Sequence, residues 1–303
     1  MIFNLDNTIN QRIKLPHDID LELCLKREDK IHPFISGNKY RKLIYNLDAA
    51  KKLGYNTLLT FGGAFSNHIA AVAFAGKAFG FKSIGVIRGE ELEGKVNQNA
   101  TLQFAESHGM SFKFVSRSNY REKTAASFID GLKNEFGDFY LIPEGGTNDH
   151  AIKGSEEILT DEDRKFDYVC CAVGTGGTIS GLINASQPNQ HILGFPALKG
   201  DFLSDNISKF AKQDNWRLIT DYHFGGYAKI NEELISFINQ FKDKQHISLD
   251  PVYTGKLMFG VYKLIEEGFF EKESKILAIH TGGLQGIEGM NARLKQKGLP
   301  LIT

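Results

Sequence analysis

Apolar positions along this chain follow two alternating periods. Tyr40, Leu43, Ile44, Leu47, Ala50 and Leu53 fall at three- and four-residue spacing and predict an amphipathic helix, with Ser36 or Asn38 to cap it and Gly54 to end it. Short β-prone runs follow at Thr57–Phe61, Ser83–Ile87, Phe112–Val115 and Tyr140–Pro143. Between them lie helical stretches at 67–79, 97–107 and 124–136, the first apolar on nearly every side, as a helix buried between layers is. Upstream, residues 1–35 read as an irregular arm with one strand, Leu21–Lys26, punctuated by Pro16 and Pro33. The second half repeats the theme less regularly. Strands are expected at Tyr168–Val173, His191–Phe195 and Lys275–His280, and helices from about Ile179 and over 232–240 and 257–267. Strands and helices joined by short glycine-containing connections predict an α/β fold, its sheet mostly parallel and covered by helices.

Composition narrows the picture only a little. A chain of 303 residues has room for two domains or one large one. Lys+Arg and Asp+Glu both number 36, so the net charge is zero and neither nucleic acid nor an anionic membrane is implied as a partner. Cys24, Cys170 and Cys171 have no metal-ligand spacing and read as reduced, buried thiols. Neither a signal peptide nor an apolar run of transmembrane length is visible, so a soluble, cytoplasmic protein is expected.

Two features carry candidate chemistry. Lys39 stands in the first turn of the predicted helix, where the partial positive charge disfavours an ammonium ion. That is a poor place for an ordinary surface lysine and a good one for an amine that must be neutral, as Schiff-base lysines are. Four Gly-Gly pairs (62–63, 145–146, 176–177 and 282–283) follow β-prone runs, and loops at the carboxyl ends of strands in an open α/β sheet converge on one ligand crevice. The strongest anion site is Gly174-Thr175-Gly176-Gly177-Thr178, with backbone amides and two hydroxyls at a helix start. It lacks the third glycine of the dinucleotide fingerprint, Ile179 standing there, and no Walker sequence occurs, so a single phosphate is the better fit.

Together, SGNKYRKL, GGAFSNH, IPEGGTN, GTGGTISG and LDPVYTGK resemble the D-cysteine desulfhydrase and 1-aminocyclopropane-1-carboxylate deaminase family, pyridoxal 5'-phosphate enzymes of the tryptophan-synthase-β fold type (fold type II). The motifs run from Ser36 to Gly283 in the family's order. The resemblance implies that Lys39 carries the cofactor as a Schiff base and shuttles the Cα proton. Asn67 would bond the cofactor's ring oxygen, and Gly174, Thr175, Gly176, Gly177 and Thr178 its phosphate, with Thr254 and Thr281 also at the cofactor. Ser66 would face the substrate beside Asn67 and His68, and Tyr227 and Tyr253 would be the two active-site tyrosines. Each has a plainer alternative: Ser66 as a helix cap, the tyrosines as half-buried core aromatics, His68 as a structural neighbour.

Two departures bear on the substrate. Phe65 replaces the family's usual glutamine, and Thr254 stands where the cyclopropane deaminases carry glutamate and the desulfhydrases threonine. A neutral partner leaves the ring nitrogen less protonated and the electron sink weaker, which suits β-elimination of a good leaving group. D-cysteine cleavage to pyruvate, ammonia and sulfide is therefore expected ahead of 1-aminocyclopropane-1-carboxylate deamination or non-catalytic binding of a phosphorylated small molecule. The resemblance also implies a homodimer, and a large cofactor-binding domain (1–43 and 155–303) with a small domain (44–154) inserted.

Overall fold

The computed structural model describes residues 3, 5–35, 37–200 and 202–303. Its strands form two sheets, and every strand of the smaller one lies between residues 57 and 142. The larger sheet holds β1 (Asn10–Arg12), β2 (Glu22–Lys26), β7 (Tyr168–Val173), β8 (His191–Pro196), β9 (Trp216–Leu218) and β10 (Lys275–Ile279), in the order β1-β2-β10-β7-β8-β9. Only β1 against β2 is antiparallel. The smaller sheet holds β3 (Thr57–Gly63), β4 (Lys82–Arg88), β5 (Met110–Val115) and β6 (Tyr140–Ile142), all parallel, in the order β5-β4-β3-β6. The helices are α1 (Asn38–Lys52), α2 (Asn67–Phe79), α3 (Ala100–Ser107), α4 (Arg117–Arg121), α5 (Ala126–Phe136), α6 (Asp149–Glu156), α7 (Gly177–Ala185), α8 (Phe202–Ser208), α9 (Glu232–Gln245), α10 (Thr254–Glu266) and α11 (Gly286–Gln296).

The central strands read as continuous apolar runs because both faces of each sheet are covered. In β7, Cys170 and Ala172 pack into the core under α9 and α10, while Val169, Cys171 and Val173 pack into the opposite core with α7. The pleat divides β3 in the same way, Leu58 to one face and Leu59 and Phe61 to the other. Helix α2, apolar all round, is buried from His68 to Ala73, as its composition requires. The three cysteines are free and buried. No described helix is long and apolar enough to cross a membrane.

The predicted elements recur with shifted ends, and the differences have local causes. Gly37, not Ser36 or Asn38, occupies the N-cap of α1, with no side-chain cap; Ser36 lies outside the described residues. Asn38 instead donates from Nδ2 to Thr178 Oγ1 at 2.8 Å, tying α1 to α7. Gly54, at φ +79°, ends α1 as expected. The helix expected over 97–107 is a short 3-10 turn followed by α3, because Asn99 leaves the helical conformation and its side chain accepts from the Leu102 N–H. Strands β1 and β9 and helices α4, α6, α8 and α11 have no counterpart in the sequence expectation.

Candidate active site

The loops that follow β3 and β6 of the smaller sheet and β7 and β10 of the larger one meet at one cleft, which opens into two chambers. The first is walled by Gly145 after β6, Gly174–Gly176 and Thr178 after β7, and Thr281–Gly283 after β10. Lys39 and Lys42 of α1 close one side and Asn67 of α2 another. Of the four glycine pairs, three therefore reach the chamber directly, and the loop after β3 reaches it through Asn67.

Close backbone approaches shape this chamber. Gly37, at φ +56°, sits so tightly on the next loop that a Cβ there would lie 2.2 Å from the Thr281 carbonyl oxygen. Its N–H donates to the Glu28 carbonyl at 2.8 Å, and Arg41 grips the buried Glu28 carboxylate with Nε and Nη2, both at 2.9 Å. Those bonds fix the entry of α1, and so the start of the turn that carries Lys39. On the far side, Gly145 and Gly176 both have positive φ, and a Cβ at Gly177 would meet Thr147 Oγ1 at 2.8 Å and Lys42 Nζ at 3.0 Å.

The amines are held towards their neutral forms. Burial lowers Lys39 to about 8, against the opposing pull of the Asp250 carboxylate. Lys42, three residues along α1, is pushed well below the ordinary lysine value by burial and by the Lys39 charge. Its Nζ donates to the Gly145 carbonyl at 2.9 Å and to Thr147 Oγ1 at 3.4 Å, and Thr147 Oγ1 shares a 2.6 Å bond with Thr175 Oγ1. The buried Lys42 amine, threonine hydroxyls and the backbone that opens α7 converge on this chamber. That donor set suits a phosphate group. Sequence reasoning missed Lys42, although the Lys39-x-x-Lys42 spacing puts both on one helix face.

The second chamber shares Asn67 and Tyr253 with the first. Tyr227 and Tyr253 meet there edge to face, ring centroids 6.2 Å apart. Both phenol pKa values are raised, by burial first, and the Tyr253 value well above the ordinary one. Tyr227 as a residue is 39% exposed, so it is its hydroxyl end that burial affects. Phe65 forms another wall, and a Cβ at Gly289 of α11 would lie 3.3 Å from its ring.

Four expected site residues line neither chamber: Gly177, which opens α7, and Ser66, His68 and Thr254. Ser66 is the N-cap of α2 and accepts from the Ile69 N–H at 3.4 Å. His68 is buried behind it, Nε2 2.9 Å from Thr60 Oγ1, and burial with the Lys39 and Lys42 charges pushes its pKa well down. Thr254 is fully buried and committed to Asp250: its hydroxyl donates to Oδ1 and accepts from the Asp250 N–H, each at 2.8 Å. Asp250 takes three further N–H bonds, from Val252, Tyr253 and Thr254, and so fixes the turn that presents Tyr253. No carboxylate lines the first chamber among the described residues.

Comparison with known proteins agrees with this geometry. The profile of a family described as "Pyridoxal-phosphate dependent enzyme" matches residues 9–282. A Pyrococcus horikoshii protein provisionally named 1-aminocyclopropane-1-carboxylate deaminase is 33% identical over 292 residues, 90% of this chain and 87% of the relative. An Arabidopsis thaliana protein named as a bifunctional D-cysteine desulfhydrase and 1-aminocyclopropane-1-carboxylate deaminase is 29% identical over 88% of this chain and 73% of its own length. The crystal structure of a 1-aminocyclopropane-1-carboxylate deaminase homologue superposes with a TM-score of 0.82 at 29% identity, covering 98% of this chain and 95% of the other.

Proposed function

The chain belongs to the pyridoxal-phosphate dependent enzymes, within the group whose relatives are named for 1-aminocyclopropane-1-carboxylate deaminase and D-cysteine desulfhydrase, and from that premise we propose that it eliminates a β-substituent from a small amino acid, D-cysteine giving pyruvate, ammonia and sulfide. The observation that carries the proposal is the junction of the chambers. Lys39, a lysine lowered to about 8, lines a phosphate-sized cradle next to a chamber holding two protonated tyrosines.

The first chamber fits the cofactor. Gly174–Thr178 and Lys42 would hold its phosphate, Asn67 and Thr281 its ring, and Lys39 its aldehyde carbon. When bound, pyridoxal phosphate supplies the electron sink that carbanion chemistry needs. The rest falls to the chain's own residues. Lys39, free as an amine, takes the Cα proton, and its low pKa makes it an effective base near neutrality. Tyr253 and Tyr227 keep their hydroxyl protons and can give one to a departing thiolate. The turn fixed by Asp250 holds Tyr253 in place for that transfer. Among the described residues the first chamber is lined by no carboxylate, and such a lining supports elimination of a good leaving group over opening of an unactivated ring. Thr254 adds nothing to this argument, since it lies outside both chambers and its hydroxyl is occupied by Asp250.

The test is sulfide and pyruvate release from D- and L-cysteine by cofactor-loaded protein, with Lys39→Ala alongside and 2-oxobutyrate from 1-aminocyclopropane-1-carboxylate followed in parallel. Equal sulfide and pyruvate from D-cysteine, lost in the variant, is expected. Production of 2-oxobutyrate without sulfide would move the assignment to the deaminase. Cofactor binding with no turnover of any amino acid would leave a binding protein. We also propose a homodimer, and residues 44–154 as a separate domain; the second is supported by the confinement of the smaller sheet to residues 57–142.

A further inference from the structure

Helix α11 has a bare stripe on one side. Gly286, Gly289, Met290 and Arg293 recur at three- and four-residue spacing and all line the second chamber. Gly289 leaves the space that Phe65, at the entrance to α2, partly fills, and Gly286 faces Asn67 Oδ1. At the end of the stripe stands Arg293, half-buried, with no ion pair and no side-chain hydrogen bond among the described residues. The nearby wall is apolar, built from Phe65, Ala228, Val252 and Met290. The one carboxylate lining the chamber, Asp250, is saturated by the amides of residues 252–254 and the Thr254 hydroxyl.

A guanidinium in that setting lacks a partner and sits in a medium that strengthens a contact with an anion. A last-turn cation also suits the helix macrodipole, but that would hold equally for an arginine turned to solvent, as the exposed Lys295 is. We propose that Arg293 is a specificity-determining residue, and that the second chamber takes amino acids whose β-substituent carries a negative charge, such as a sulfonate or a phosphate ester. This rests on the elimination chemistry proposed above and narrows its substrate class. Lys39 accepts the Cα proton, and the electron pair left at Cα forms the Cα–Cβ double bond. The Cβ–S or Cβ–O bond breaks with its pair on the leaving group, giving sulfite or phosphate. Water then hydrolyses the enamine to pyruvate and ammonia. Arg293 pairs with the departing anion, and the neutral tyrosines add no opposing charge.

Two measurements test it. In the first, kcat/KM of the loaded enzyme is compared for cysteic acid, O-phosphoserine and cysteine, each as both enantiomers, in wild type, Arg293→Met and Arg293→Lys. The ratio of anionic substrate to cysteine is expected to fall about ten- to a hundredfold in Arg293→Met, the worth of one hydrogen bond to a charged group, and to recover in part in Arg293→Lys. The second follows calorimetrically the binding of 3-sulfopropionate, which has no amine and cannot react. Its affinity should fall by a similar factor in Arg293→Met, whether or not any substrate turns over. Cysteine turnover with no use of either anionic substrate, and 3-sulfopropionate binding equal in wild type and Arg293→Met, would overturn the inference and leave the elimination assignment standing. Arg293-dependent binding in a protein that turns over no amino acid would support the anion site while the elimination assignment failed.

Discussion

The two chambers of this cleft are built on different principles. The first is largely a backbone structure: glycines bring amides and carbonyls to one point, and little room is left in and around its walls, since a Cβ at Gly37, Gly145 or Gly177 would lie within 2.8 Å of a neighbouring atom. The second is a side-chain structure, assembled from Phe65 on the smaller sheet's side and Tyr227, Tyr253 and Arg293 on the larger sheet's side. On the function proposed above, the first would hold a phosphate, whose needs are the same in every enzyme and suit main-chain donors. The second would hold a substrate, which differs between enzymes and suits side chains that substitution changes cheaply.

That contrast can be broken most forcefully at Gly177. A Gly177→Val side chain would push into Thr147 and the Lys42 amine, at a cost of about 2 kcal/mol or more from overpacking alone. Pyridoxal phosphate affinity is expected to fall at least about thirtyfold, for every substrate alike, as read by titration of the cofactor's absorbance into the protein. Unchanged affinity would mean that the cradle after β7 is not the phosphate site.

A second, intermediate effect concerns the amine between the chambers. In cofactor-free protein, the rate at which Lys39 condenses with a small aldehyde should rise with pH through a midpoint near 8, since the neutral amine reacts and burial has lowered its pKa from 10.5. Asp250 opposes that shift, so Asp250→Asn should move the midpoint lower still; a midpoint near the ordinary lysine value in either protein would show a solvated Lys39. The smallest effect is expected at Phe65. Its ring lies 45% exposed against Gly289, so Phe65→Gln should leave folding intact and change the relative kcat/KM of competing substrates by less than about tenfold, within about 1 kcal/mol. A loss of cofactor binding in that variant would join the two chambers into one unit and dissolve the comparison.

Much of the cradle could be read from sequence alone, because its determinants are local. Glycine after a β-prone run, threonine beside it and an apolar helix behind it need no knowledge of the rest of the chain. Lys39 was legible for the same reason: a lysine in the first turn of a helix conflicts with the helix dipole wherever that helix goes. Lys42 was not, because nothing near it in sequence says that its amine meets Gly145 and Thr147, about a hundred residues on. Thr254 shows the reverse failure. Its place beside Tyr253 suggested contact with the cofactor, but the side chain turns back to Asp250 four residues earlier, in a bond that spacing alone does not announce.

By itself, then, the sequence determined the α/β class, the positions of the main strands and the kind of ligand the loops could hold, since periodicity, glycine and capping act over a few residues. Only the tertiary structure decided which side chains share a wall. Helix α11, packed on α3, and the turn at 250–253 both reach the second chamber, and Arg293 and Phe65 line it together across more than two hundred residues of chain. Long-range contacts of that kind follow from the global arrangement of buried surface, which no local pattern encodes.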